Sequence, residues 1–170
     1  MNTEIYLGLG GNLGDPPSTF KQALKKIGHF AKVTKVSKLY KSKPYGFADQ
    51  PDFYNAAAQL TSDLSPLDLL AQLQEVEKQL GKKVVRENGP RVIDIDLLVF
   101  GDEVLDLPEL TLPHPGILER DFVLRPLTDL NPMLTHPAWN GQSLQSAMDQ
   151  LKECFLIEVD EVLYLSLIHI

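Results

Sequence analysis

NGPRVIDIDLLVF, the sequence of residues 88–100, predicts a buried β-strand that carries two charges. From Val92 onward its residues, other than two aspartates, are isoleucine, leucine, valine or phenylalanine, a composition typical of a buried strand. Asp94 and Asp96 are two residues apart, and in a strand that spacing places both carboxylates on one face. The opposite face then carries Ile93, Ile95 and Leu97. The stretch therefore predicts a strand with one acidic and one apolar face.

Two neighbouring carboxylates in a buried strand need a neutralising partner, because a desolvated charge is costly and a second like charge adds repulsion. A divalent cation is the simplest such partner, and ligation by oxygen alone suits Mg²⁺. The alternative is a strand end at which Asp94 and Asp96 face water or pair with lysines. The Gly-Pro-Arg sequence before the strand and the apolar residues after it favour the metal site.

The composition predicts one ordinary globular domain. The chain has 170 residues, of which 44% are hydrophobic and 23% charged, enough for a sizeable core. A net charge of -7 argues against a general binder of nucleic acid or anionic membranes. The single cysteine, Cys154, rules out an internal disulfide framework and fits a reducing compartment. With neither a cationic leader nor an apolar run of membrane-spanning length, the sequence predicts a cytoplasmic protein.

Strands and helices alternate along the chain in the order β-α-β-β-α-β. This order predicts an α+β fold of the ferredoxin-like kind, an α/β sandwich with helices packed on a mainly antiparallel sheet. Ser65 is the expected N-cap of the second helix, whose apolar stripe is Leu67, Leu70, Leu73 and Val76. The predicted elements are strands 5–9, 33–40, 54–60 and 92–100, helices 16–27, 66–80 and 143–151, a loop at 41–53 and a hairpin within 101–116. Residues 122–127 are noted only as apolar.

We expect residues 1–160 to form one domain and residues 161–170 to be an extension of unknown role. The glycine-rich segment at residues 8–14 lacks the Gly-Lys-Ser/Thr of a phosphate loop, and we expect a tight turn with positive φ angles there.

Residues 82–91 carry four cations just before the aspartates. By themselves these would be a solvated charge run, but beside a carboxylate pair they would suit a polyphosphate.

Several blocks together resemble the 6-hydroxymethyl-7,8-dihydropterin pyrophosphokinase family. They are GGNLG at residues 10–14, QPDFYNAA at 50–57, GPR-X-X-D-X-D at 89–96, LPHP at 112–115 and RDFVLRPL at 120–127. The resemblance extends over about residues 4–150. It implies transfer of pyrophosphate from ATP to the hydroxymethyl group of the reduced pterin, giving AMP and the pterin diphosphate, in folate biosynthesis.

The resemblance also implies a role for each matching residue. Asp94 and Asp96 would hold two Mg²⁺ ions, and Arg91 would assist transfer together with Lys82 and Arg86. The residues that would bind the pterin are Ser42, Pro44, Tyr45, Gly46, Phe53, Asn55 and Phe122. Those that would bind ATP are Gln74, Glu77, Arg91, Thr111, His114 and Arg120. Without the resemblance, Gln74 and Glu77 would be placed on the solvent face of their helix, and for Phe122 a place in the ordinary core and a binding role would be equally favoured.

The chain departs from the family pattern at three positions. Asn88 stands where some members have tryptophan, Lys82 where arginine is frequent, and Glu109 where an ATP-contacting arginine can occur. Two other functions use the same features: a nucleotide hydrolase with the Asp-X-Asp pair, and a non-catalytic ferredoxin-like module that binds a small ligand. The expected partners are ATP and the reduced pterin alcohol, with no nucleic acid and no membrane, and the expected state is a monomer.

Overall fold

The computed structural model describes residues 3–42, 51–81 and 92–151, and the backbone of residues 157–158. The strands are β1 (Ile5–Gly11), β2 (Lys32–Val36), β3 (Tyr40–Ser42), β4 (Phe53–Thr61), β5 (Asp94–Phe100), β6 (Leu105–Asp106), β7 (Thr111–Leu112) and β8 (Ile157–Glu158). The helices are α1 (Pro16–Ile27), α2 (Pro66–Gln79), α3 (Asp121–Leu130) and α4 (Leu144–Gln150), with a 3₁₀ turn at Pro137–Trp139.

The main sheet is antiparallel, with the strand order β5-β1-β4-β3-β8, and β2 also pairs with β4. β1 lies between β4 and β5, and on its other side β4 pairs with both β2 and β3. This is the arrangement that two β-α-β units produce when their helices pack on one face. The predicted ferredoxin-like α+β fold is confirmed. β6 and β7 form the short hairpin expected within residues 101–116.

Helices cover both faces of the sheet. α1 and α2 cover one face, with Phe20, Leu69 and Leu73 fully buried against β1, β4 and β5. α3 and α4 cover the other face, where Leu124, Leu127 and Leu144 are buried. The sequence indicated no helix at residues 121–130, since a helical assignment there had to include a proline, Pro126, which lacks the N–H that a helix interior requires.

Three local features differ from or match the sequence prediction. The expected strand 33–40 is divided into β2 and β3, because Ser37 lies between them and its hydroxyl accepts from the Ala57 N–H at 2.8 Å. On α2 the buried leucine is Leu69, whereas Leu67, predicted for the apolar stripe, is 43% exposed. The predicted cap is confirmed, since the Ser65 hydroxyl accepts from the Asp68 N–H.

At the far edge of the sheet, β8 pairs with Tyr40 and Lys41 of β3. The apolar residues 162–170, for which an edge strand was one prediction, lie outside the described part of the chain. Across the described residues, none of the helices has both the length and the apolar character needed to cross a membrane.

Candidate functional site

A row of directly paired residues crosses four strands of the sheet. Asp94 on β5 pairs with Gly10 on β1, Gly10 with Asn55 on β4, and Asn55 with Tyr40 on β3. Directly paired residues present their side chains on the same face, here the face covered by α3. Neighbouring strands are about 4.8 Å apart, so the backbones of Asp94 and Asn55 are about 10 Å apart. Gly10 carries no side chain between these two residues, and the Oδ1 of Asn55 lies 3.5 Å from the place that a Gly10 Cβ would occupy.

The two aspartates share one face, as predicted, and the apolar residues between and beside them lie in the core under α1 and α2. Their burial differs from the expectation. Asp94 is half-buried and Asp96 is exposed, and continuous burial of the strand begins only at Leu97. The desolvation penalty is therefore smaller than a fully buried strand would impose. The case for a metal here rests on the paired oxygen donors and on what surrounds them.

Beyond the β5 edge is a cavity of about 380 Å³, bounded by α2, β5 and the segment from Pro108 to Pro115. Four of the residues predicted to bind ATP line it together with Asp96: Gln74, Glu77, Thr111 and His114. Its volume is within the range of small-molecule sites. Arg120, also predicted to bind ATP, is exposed and is not among the lining residues. Glu109 adds an acidic side chain to the cavity wall.

Glu77 is buried, with 7% of its surface exposed, so the solvent-facing placement that helical position alone suggested is wrong. Its Oε2 accepts a hydrogen bond from the backbone N–H of Ile95 at 2.7 Å. β5 is the edge strand, and an N–H that points away from β1 needs a partner outside the sheet. Glu77 supplies that partner at the residue between the two aspartates.

His114 has backbone and ring contacts that define its protonation. Its N–H donates to the Leu98 carbonyl at 2.8 Å, and its Nδ1 accepts from the Gly116 N–H at 3.2 Å. Burial, and then the positive charge of Arg120, lower the pKa of the imidazole. A neutral ring that accepts at Nδ1 carries its proton on Nε2, so His114 offers a donor there.

The residues predicted to bind the pterin that the structure describes come together on the α3 face of the sheet. Ser42 pairs with Phe53, and the buried Asn55 donates from Nδ2 to the Ser42 hydroxyl at 3.2 Å. Phe122 lies in the first turn of α3, which packs against β4. The arrangement combines a hydrogen-bonding amide with aromatic rings, the groups that suit a flat heteroaromatic ligand.

Six predicted residues lie outside the described ranges: Pro44, Tyr45, Gly46, Lys82, Arg86 and Arg91. Their roles stay predictions.

In the glycine-rich segment, positive φ occurs at Gly14, at 67°, while Gly8, Gly10 and Gly11 belong to β1. The turn was thus predicted correctly, but it begins later than the glycines suggested.

Sequence reasoning missed a polar cluster at the β3 end of the row. Tyr40, Arg125 and Asp129 form a hydrogen-bonded cluster between β3 and α3. The only signal for it was the four-residue spacing of Arg125 and Asp129, which has meaning only if the segment is known to be helical.

A carboxylate pair beside a small-molecule cavity suits Mg²⁺ held jointly with substrate phosphates, as in kinases and other phosphoryl-transfer enzymes. Residues 6–132 match the sequence model for 7,8-dihydro-6-hydroxymethylpterin-pyrophosphokinase (HPPK), and the chain belongs to that family. The predicted family and the predicted class of enzyme are both confirmed.

Known proteins similar to this chain include two of very different length. The 2-amino-4-hydroxy-6-hydroxymethyldihydropteridine pyrophosphokinase of Pseudomonas aeruginosa is 43% identical over 139 residues, which cover 81% of this chain and 86% of the relative. The folic acid synthesis protein fol1 of Pneumocystis carinii is 42% identical over 151 residues, covering 88% of this chain but 20% of that protein. This chain thus spans about one fifth of the fungal relative.

Among solved structures, wild-type HPPK-DHPS of Plasmodium falciparum with pterin and p-hydroxybenzoate superposes with a TM-score of 0.72 at 16% identity. The match covers 88% of this chain and 42% of that one. At this identity the likeness bears on the fold, and it agrees with the ferredoxin-like topology described above.

Proposed function

We propose that this chain transfers pyrophosphate from ATP to the hydroxymethyl group of 6-hydroxymethyl-7,8-dihydropterin in folate biosynthesis. One observation carries the proposal. Asp96 lines the cavity that contains Gln74, Glu77, Thr111 and His114, and it shares with Asp94 the sheet face that carries Asn55. The carboxylate pair thus lies between a site that suits a nucleotide and a site that suits a flat acceptor.

The donor set fits magnesium. Mg²⁺ is commonly bound by one or two carboxylates together with substrate phosphates and water. Within residues 3–42, 51–81 and 92–151, no three His, Cys, Asp or Glu side chains form a metal-binding group, so Asp94 and Asp96 would provide only part of the coordination. We propose that they hold two Mg²⁺ ions jointly with ATP. When bound, Mg²⁺ supplies positive charge that stabilises the triphosphate during transfer.

The residues of the cavity would hold the nucleotide. Gln74 on α2 and Thr111 on β7 are exposed polar side chains of the cavity lining, and the neutral His114 is a donor for a phosphate or ribose oxygen. Arg120 would approach from the rim, above Gly116, where its Nε lies 2.9 Å from the place a Cβ would occupy. We further propose that Arg91, Lys82 and Arg86 neutralise charge that moves to the leaving group.

The acceptor would lie on the α3 face. Asn55 offers an amide donor and acceptor to the edge of a pterin, and Ser42 adds a hydroxyl beside it. Phe53 and Phe122 are suited to stack on the ring, and Pro44, Tyr45 and Gly46 would complete the lining.

In the proposed reaction, the hydroxymethyl oxygen forms a bond to the β-phosphorus of ATP in line with the departing oxygen. The bond between that phosphorus and the α,β-bridging oxygen breaks, AMP leaves, and the hydroxyl proton passes to solvent. No covalent intermediate with the protein is needed, so the residues act by positioning and charge stabilisation.

The test is to incubate the protein with Mg²⁺, ATP and the reduced pterin alcohol and to separate the nucleotides. AMP and the pterin diphosphate should appear in equal amounts and only when the pterin is present. ADP would indicate a simple kinase, and phosphate release without pterin would indicate a hydrolase. Absence of turnover would indicate a binding module, and each of these three results contradicts the proposal.

We also propose that residues 1–160 form a single pyrophosphokinase domain, that the chain acts as a monomer, and that it works in the cytoplasm. The paired sheet from β1 to β8 supports the first point, and the single cysteine supports a reducing compartment. Light scattering coupled to gel filtration should give a mass near 19.0 kDa. A mass of twice that value would contradict the monomer.

A further inference from the structure

Tyr40 connects the sheet to α3 through a buried hydroxyl. The residue is 2% exposed, and its OH donates to Oδ2 of Asp129 at 2.5 Å. The Nε–H of Arg125 donates to the same hydroxyl at 3.3 Å, and the guanidinium carbon lies 5.8 Å from the centre of the tyrosine ring. Asp129 and Arg125 both belong to α3, so one phenol fastens that helix to β3 at two points.

These hydrogen bonds between Tyr40 and α3 lie next to the proposed pterin residues. Tyr40 pairs directly with Asn55, and Ser42 lies two residues further along the same strand and on the same face. On α3, Phe122 precedes Arg125 by three residues and Asp129 by seven, a spacing that places all three on one helix face. The cluster therefore joins the helix that carries the proposed stacking ring to the strands that carry the proposed edge-binding amide.

We propose that Tyr40 is a positioning residue for the pterin, whose hydroxyl sets the separation between Phe122 on α3 and the Asn55–Ser42 pair on the sheet. The inference rests on the proposed function, because it assumes that the pterin lies between these groups. A planar ligand that stacks and hydrogen-bonds at once tolerates little error in that separation. Binding and reaction depend on contacts behind the site that hold its residues to within a fraction of an ångström of the productive geometry.

The ion pair within the cluster, between Arg125 and Asp129, is weaker than the hydrogen bonds of the Tyr40 hydroxyl. Arg125 and Asp129 approach each other only to 4.0 Å, and the arginine side chain is 40% exposed, so their direct ion pair contributes little. The phenol, in contrast, remains a neutral donor over the working pH range, since burial and then the bond to Asp129 raise the pKa of Tyr40 to about 12.

A matched control is available in Tyr6. This tyrosine is also fully buried on the α3 face, and its OH accepts from Nδ2 of Asn131, the C-cap residue that follows α3. It lies four residues before Gly10 on β1, away from the Asn55 row. Tyr6→Phe therefore removes a buried hydroxyl between the same sheet and the same helix without touching the proposed pterin site.

The experiment measures the Kd of 6-hydroxymethyl-7,8-dihydropterin by calorimetry, in the presence of Mg²⁺ and a non-hydrolysable ATP analogue, for wild type, Tyr40→Phe and Tyr6→Phe. Tyr40→Phe should weaken pterin binding about tenfold and raise its KM in proportion, with the Kd of the ATP analogue unchanged. The two variants should lower Tm by similar amounts, but Tyr6→Phe should leave the pterin Kd unchanged. Equal effects of the two variants on the pterin Kd, or no effect of Tyr40→Phe, would overturn the proposal.

A second pair of variants decides the matter if Tyr40→Phe does not fold. Asp129→Asn keeps an oxygen that accepts from Tyr40, whereas Asp129→Ala removes it. The asparagine variant should bind the pterin several-fold more tightly than the alanine variant, and equal affinities would contradict the positioning role. A wild-type protein that fails to bind the pterin at all would instead contradict the proposed function.

Discussion

The two faces of the main sheet differ in chemistry although the same strands make both. On the face covered by α1 and α2, the buried side chains of β1, β4 and β5 are apolar, and they join one continuous core. On the face covered by α3 and α4, the same strands present a tyrosine, glycines, an asparagine and two aspartates, beside a second apolar cluster that includes Ala57, Leu98 and Val99. The comparison shows how a small sheet separates its tasks: one face is apolar along the length of these strands, whereas the other combines a second apolar cluster with an area of polar groups suited to bind and react.

The largest expected effect is on the polar face. Asp96→Ala should reduce AMP formation about a thousandfold or more, because it removes half of the proposed carboxylate pair. The free energy of unfolding should change little, since Asp96 is exposed. Steady-state assays and chemical denaturation give the two numbers.

The matched control for that variant is Asp102→Ala, which removes an exposed aspartate just after the same strand. It should retain wild-type activity. Near-normal AMP formation by Asp96→Ala would eliminate the metal assignment and, with it, the division of tasks between the faces.

The next effect is on the apolar face. Leu69→Ala, at a fully buried position, should cost about 2–5 kcal/mol of unfolding free energy, whereas Leu67→Ala, on the same helix but 43% exposed, should change it by less than about 0.5 kcal/mol. Both variants should keep their KM for ATP. Urea titrations test this, and equal losses for the two leucines would refute the placement of α2.

A smaller effect is expected at the cavity wall. Glu109→Arg replaces a negative by a positive charge beside the proposed triphosphate site, and it should tighten ATP binding by about two- to fivefold at low salt, less at high salt. Glu103→Arg makes the same charge change at an exposed position that is not part of the cavity wall. An equal gain from both would mean that net charge, and not the cavity, is responsible.

The smallest effect concerns pH. Because burial lowers the pKa of His114, the unfolded chain binds a proton more readily than the folded one, and stability should fall as the pH drops below about 6.5. His114→Asn should flatten this dependence between pH 7 and 5. Unfolding free energies measured across that range make the comparison. Parallel curves for wild type and His114→Asn would refute it.

Much of the apolar face was predictable from short-range patterns. The period of two in β5 placed Ile93, Ile95 and Leu97 together, and Ser65 marked the start of α2. The polar face was less predictable. Pro126 concealed α3, the position of Glu77 on its helix suggested solvent, and the alternation of strand residues did not indicate that Asp96 would be exposed.

By itself the sequence determined the order of elements, the shared face of Asp94 and Asp96, and membership of the HPPK family, because periodicity and motif spacing are properties of neighbouring residues. Only the tertiary structure decided that Glu77 accepts a hydrogen bond from the Ile95 N–H at the edge of the sheet. It also decided that Tyr40 bonds to Arg125 and Asp129 of α3, which lie 85 and 89 residues further along the chain. These contacts arise where distant segments pack together and buried polar groups must find partners, and local sequence carries no record of which partner that will be.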